Sequence, residues 1–133
     1  MRRVSALSIS CCLACAGPTE PTEPAVQGSW GGKLVGIHAT AIRLEYQSTC
    51  YLLRFPPLPA SSVGEVTLQG TTILHTSPQF LGLPAELKVT ISGNELVGSV
   101  RLALPHGGWQ EPPREFRVTL NEAPDYTGAG CLI

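Results

Sequence analysis

Apolar and polar residues alternate with period two through residues 85–104, AELKVTISGNELVGSVRLAL. Ala85, Leu87, Val89 and Ile91 share one parity, and Glu86, Lys88, Thr90 and Ser92 share the other. That spacing gives a strand one apolar and one polar face. Gly93-Asn94 interrupts it with a residue that tolerates positive φ at the first central position, which predicts a two-residue type II′ hairpin turn. On the return, Leu96, Gly98, Val100, Leu102 and Leu104 share a parity. Pairing across the turn sets Ile91 opposite Leu96, Leu87 opposite Val100, Val89 opposite Gly98 and Glu86 opposite Arg101. All apolar positions then fall on one face, and an opposite-charge pair falls on the wet face. Gly98, with no side chain on the apolar face, reads as a bend where the sheet curls.

The same alternation runs through most of the chain. A first strand is predicted from Trp30 through Val35 to Ile37, with a turn at His38-Ala39-Thr40. Ile42, Leu44 and Tyr46 alternate with Arg43, Glu45 and Gln47 in a second strand. Residues 51–55 form a short third strand, stopped by Pro56-Pro57-Leu58-Pro59, because proline cannot donate to a ladder. Val66 and Leu68 mark a fourth strand, with a bend at Gly70 and a continuation over residues 71–75. A loop around Phe80 and Leu81 leads to the hairpin, which supplies strands five and six. Residues 105–113, PHGGWQEPP, make a glycine- and proline-rich loop centred on Trp109. Phe116, Val118 and Leu120 form the seventh strand, and a glycine-rich tail returns to Cys131. Seven to eight short strands with regular turn signals and no helical period predict an all-β domain. The expected fold is a small antiparallel meander barrel, with a β-sandwich as the alternative closure.

The N-terminus changes the picture from a plain domain to an exported one. MRRVSALSISCCLACAG places two arginines before an apolar run that is too short to span a bilayer as a helix and has the form of a signal-peptide core. Two cleavage readings stand. Ala14-Cys15-Ala16 is an A-x-A site that releases a soluble secreted chain. Leu13-Ala14-Cys15 resembles a bacterial lipobox, although Cys12 stands where that pattern has leucine. This resemblance implies a lipid on Cys15, with Cys11 and Cys12 as further candidates, and an outer-membrane or periplasmic location. Residues 17–27, GPTEPTEPAVQ, are proline-rich and polar, as in a semi-rigid stalk. The expected organisation is a signal peptide over 1–16, a stalk over 17–27 and a β domain over 28–133.

Of the five cysteines, three lie in the signal region and leave Cys50 and Cys131 in the body. An even pair in an exported chain reads as a disulfide. A buried thiol or a metal ligand is the alternative, but neither cysteine has a histidine or second cysteine at ligand spacing. Without Arg2 and Arg3, seven Lys/Arg stand against ten Asp/Glu. No basic cluster exists to neutralise phosphates, so nucleic acid is not an expected partner. The only expected membrane link is the lipid.

Taken in order, Trp30-Gly31-Gly32, the strand from Leu44 to Cys50, Pro56 to Pro59, the hairpin from Leu87 to Val100, and Cys131 resemble a group of small bacterial predicted lipoproteins. That resemblance implies a barrel-like exported domain and carries no activity. Gly28-Ser29-Trp30 is similar to a first-strand motif of lipocalin- and avidin-type barrels, and Asp125-Tyr126 to another lipocalin motif, which implies a meander barrel and no particular ligand.

Candidate chemistry is sparse. Asp125 is the sole aspartate, His38, His75 and His106 are far apart and sit in or beside predicted turns, and no carboxylate pair stands out among nine glutamates. No cofactor, metal site or catalytic residue is expected, and an enzyme is not the predicted class. The best candidate is the loop His106-Gly107-Gly108-Trp109-Gln110, which places a large aromatic among polar neighbours, with Phe80 in a second loop. Both aromatics carry an alternative reading, in which they fold back and close a barrel end. The expected function is a binding module for an unknown protein or small apolar ligand. A structural envelope lipoprotein without a discrete ligand and an inhibitor of an exported hydrolase are the alternatives.

Overall fold

The computed structural model describes residues 24–128, 130 and 131. The expected signal region with Cys15, and the expected stalk as far as residue 23, lie outside the described residues. Eight strands form a closed antiparallel barrel in meander order: β1 Gly28–Gly32, β2 Val35–Ala39, β3 Leu44–Gln47, β4 Tyr51–Phe55, β5 Val66–His75, β6 Pro84–Ser92, β7 Glu95–Leu102 and β8 Arg114–Leu120. β8 pairs back onto β1 through Trp30–Leu120 and Gly31–Thr119, which closes the wall. Sandwich closure is thereby set aside.

The hairpin β6–β7 has the expected register, with Ile91 opposite Leu96, Val89 opposite Gly98, Leu87 opposite Val100 and Glu86 opposite Arg101. Gly93 alone of the two turn residues takes positive φ, at 62°, as a type II′ turn requires. A Cβ on Gly98 would collide with the Lys88 carbonyl oxygen, so the missing side chain lets β6 and β7 curl toward closure.

Three local expectations change. The first predicted strand is two strands: Gly32 pairs with Val35 around Lys33-Leu34, and Leu34 takes φ 66° in place of a glycine. His38 and Ala39 lie in β2, not in a turn. The turn comes at residues 40–43, where the Thr40 hydroxyl accepts the backbone N–H groups of Ile42 and Arg43, each at 3.3 Å. Gly70 stays within a continuous β5, where a Cβ would strike the Arg54 carbonyl oxygen. The ladder irregularity falls two residues later, between the pairs Leu53–Thr72 and Leu52–Leu74.

Eight strands enclose a space just wide enough for side chains. Ile37, Leu44, Tyr46, Leu53, Phe55, Leu87, Val89, Leu96, Val100, Leu102 and Val118 fill it, each 2 % exposed or less. The two rims differ. The proximal rim, where the described chain begins, carries Gly28, the turn 40–43, the loop 56–65, Gly93-Asn94 and Asn121. Leu58, fully buried, folds over this rim. Residues expected in the stalk belong to the body here: Ala25 pairs with Pro59, the Val26 N–H donates to the Leu58 carbonyl at 2.8 Å, and Ala60 donates to Pro24 at 2.9 Å. The distal rim carries Lys33-Leu34, residues 48–50, the loop 76–83 and the loop 103–113.

After β8 the chain runs back along the outer wall as a strap. A Cβ on Gly31 would meet the Glu122 oxygen, the Ala123 carbon and the Pro124 nitrogen, and a Cβ on Gly36 would lie 2.7 Å from the Pro124 ring. Glycines therefore form the trough in which the strap lies. Asp125 is fixed by two backbone bonds, Leu34 N–H to its carbonyl at 2.7 Å and its own N–H to Gly32 at 2.9 Å. The Tyr126 hydroxyl donates to the Gln47 carbonyl at 3.3 Å. The strap ends in a disulfide between Cys131 and Cys50, with Cα atoms 5.2 Å apart.

Candidate functional site

The barrel topology carries both predicted loops to the distal rim. Pro84, which ends the loop 76–83, accepts the Ala103 N–H at 2.9 Å, so the two loops meet at the start of β6. Their aromatics part company there.

Phe80 is 6 % exposed and turns inward. Pro78–Phe80 form a short 3-10 turn that drops the ring onto His75 at 4.2 Å between centroids, with the two planes nearly parallel. His75 stacks in turn on Tyr51 at 5.6 Å, and Tyr51 on Tyr46 at 6.2 Å. Tyr46 makes an edge contact with Phe116 at 5.5 Å. This ladder of rings is the distal plug, so Phe80 follows the fold-back reading. Its neighbour Leu81 stays 47 % exposed.

His75, expected exposed in a turn, ends β5 inside this stack. The Ser77 N–H donates to its Nδ1 at 2.8 Å, which requires an unprotonated Nδ1. Nε2 is buried without a partner. Burial lowers the pKa of the ring. Burial likewise pushes the Tyr46 and Tyr51 phenols up, so both stay neutral at physiological pH.

Trp109 takes neither expected place. It pairs as an isolated bridge with Ala103, and Gln110 donates to the Leu102 carbonyl at 2.9 Å, so the loop doubles back along β7. Arg101 points outward from β7, and its guanidinium lies 4.5 Å from the indole centroid. Trp109 is thus half-buried on the outer wall, not in the rim. Arg101 also bonds Glu86 at 2.8 Å and Glu111 at 3.1 Å. The Gln69 amide, and then Arg101, hold the Glu86 carboxyl below the usual carboxylate range. His106 is exposed at the loop tip, whereas the Gln110 side-chain oxygen is buried without a partner. The predicted set Trp109, His106, Gln110 and Phe80 is therefore carried by the two distal loops but does not form one pocket.

Two features were missed from sequence. The first is an apolar groove of about 280 Å³ on the outer distal wall, lined by Cys50, Tyr51, Leu52, Leu74, His75 and Leu81 among others. Leu74, 60 % exposed, and Leu52 pair across β4–β5 and face outward. The two leucines read as strand residues, and the outward parity of Leu74 is visible only after the ladder irregularity in β5.

The second is a row across β1–β3, in which Ser29 pairs with His38 and His38 with Glu45. Ser29 Oγ lies 2.8 Å from His38 Nδ1, beside a groove of about 190 Å³ roofed by Glu122, Pro124 and Tyr126 of the strap. Glu45 gives its carboxylate to Arg54 at 2.9 and 3.0 Å, with Arg43 at 3.6 Å. The row is a hydroxyl–imidazole pair on a wet wall whose neighbouring acid is committed to arginines. His38 stands near the opposite rim from His75 and His106. No group of three or more His, Cys, Asp or Glu among the described residues is arranged to hold a metal ion.

No protein-family model matches the chain, and comparison with curated proteins and with solved structures finds no match.

Proposed function

We propose that this chain is an exported, lipid-anchored barrel that holds its distal rim toward a protein partner. The observation that carries this reading is the placement of Leu74 and Leu81, 60 % and 47 % exposed beside an apolar groove, on the rim opposite the start of the described chain. A stalk at the proximal rim leaves that surface facing away from the membrane. Exposed apolar groups of this size on a monomer mark interaction surfaces when they cluster. The interior is occupied by its own side chains, so a small apolar ligand has the outer grooves and not the barrel lumen. Trp109 and Arg101 supply a rigid aromatic and a guanidinium on the neighbouring wall, the residue types that dominate binding hot spots. An exported hydrolase is one class of partner, in which case the protein acts as its inhibitor.

Capture from envelope extract by the wild-type domain and by Leu81→Asp and Trp109→Ala tests the proposal. Both substitutions are expected to reduce recovery of a discrete partner at least tenfold while the melting temperature stays within about 5 °C. Leu81 is half exposed, and the cation–π contact of Trp109 is worth about 0.5–1 kcal/mol at such a site. Unchanged recovery by both variants places the interface elsewhere. A wild-type domain that recovers nothing reproducible supports a structural envelope component instead.

A further inference from the structure

Of the four large apolar side chains exposed among the described residues, two stand at the other rim. Ile42, 72 % exposed, tips the turn 40–43, and Val63, 92 % exposed, tips the loop 56–65. Both loops are neighbours on the proximal rim, and neither side chain packs on the core. The same loop that carries Val63 holds the first described residues, through Ala60 to Pro24, Ala25 to Pro59 and Val26 to Leu58. The described chain therefore begins against residues 58–60, on the loop that carries Val63.

We propose that Ile42 and Val63 rest this rim on the lipid surface to which the N-terminal segment ties the chain. The proposal rests on the lipid-anchor reading of Cys15. Nine residue steps separate Cys15 from Pro24, a span of at most about 32 Å. The tether thus keeps the rim within reach of the headgroups at a high effective concentration, where a weak contact suffices. Arg43, adjacent to Ile42, is half exposed with Glu45 3.6 Å from its Nε, so it offers anionic headgroups a partly neutralised guanidinium. Glu65, exposed two residues beyond Val63, opposes that attraction, so the apolar pair and not net charge carries the contact. With this rim down, the distal groove points away from the bilayer and stays open to a partner.

The test is hydrogen exchange of the full lipidated chain on phosphatidylethanolamine–phosphatidylglycerol vesicles, against the free chain carrying Cys15→Ala. Residues 40–43 and 60–65 are expected to exchange about tenfold more slowly on the vesicle, and residues 76–83 at the same rate in both. Ile42→Asp combined with Val63→Asp, two changes at solvent-exposed tips, is expected to remove the slowing while the lipid remains. A lipidated chain whose proximal loops exchange at the free rate overturns the docking and leaves the anchor standing. An intact mass showing no lipid on Cys15, Cys11 or Cys12 overturns both.

Discussion

Replacing Gly31 by alanine sets a methyl group against the Glu122 carbonyl oxygen and within 2.5 Å of the Ala123 carbon and Pro124 nitrogen. These are backbone atoms and cannot swing aside, so the strap must lift from the wall. Lifting it breaks the two backbone bonds of Asp125, at 2.7 and 2.9 Å, and the Tyr126–Gln47 bond at 3.3 Å. At about 1 kcal/mol net for each hydrogen bond, the loss is about 3 kcal/mol. Alanine also lowers the entropy of the unfolded chain, which offsets about 0.4–1 kcal/mol, because Gly31 does not need a left-handed φ. The net destabilisation is about 2 kcal/mol, and a domain of this size loses about 10 °C in melting temperature. Far-UV circular dichroism during a thermal ramp measures it. Gly130→Ala is the control, since a Cβ there meets nothing within 4 Å on the same strap. It is expected to be neutral or slightly stabilising. A Gly31→Ala protein that melts within about 2 °C of wild type would refute the trough.

Two other outcomes follow from the distal rim. His75 binds fewer protons folded than unfolded because burial lowers its pKa, so its contribution is full above about pH 6.5 and is lost as the pH falls toward the depressed value. Urea unfolding is therefore expected to show lower stability at pH 5 than at pH 7.5, with part of that slope removed in His75→Gln. An unchanged slope would mean that the ring is not held neutral by its stack. The Cys50–Cys131 bridge closes a sequence separation of 81 residues, and on the chain-entropy model it contributes about 4.5 kcal/mol. Reduction is expected to lower the melting temperature by about 20 °C. The β-sheet spectrum should persist at 25 °C, since the strap lies outside the closed wall; its collapse on reduction would contradict that placement.

The hairpin β6–β7 was legible residue by residue because its apolar parity and its Gly93-Asn94 turn agree. The split of β1 from β2 carried the same signature in a fainter form. Trp30 and Gly32 share one parity and Val35 and Ile37 the other, the switch that a two-residue turn imposes. Leu34 hid it by adopting a φ that sequence reasoning reserves for glycine. The trough at Gly31 and Gly36 was not legible, because it depends on where a tail some 90 residues further along comes to lie. Trp109 and Phe80 looked alike as loop aromatics. Their different fates depend on loop paths across the rim, Phe80 onto His75 and Trp109 back along β7, and neither path leaves a periodic trace. The apolar groove escaped notice because a bulge-like irregularity in β5 turns Leu74 outward, which alternation alone does not predict.

Photo-crosslinking from the two rims, in cells that export the full chain, distinguishes a partner at the distal rim from one at the proximal rim. With the photoreactive residue at Leu81, a discrete protein adduct is expected, and it disappears when Trp109→Ala is added. With the residue at Asn94, on the proximal rim, no protein adduct is expected. A protein adduct formed from Asn94 and not from Leu81 would contradict the orientation and the function drawn from it.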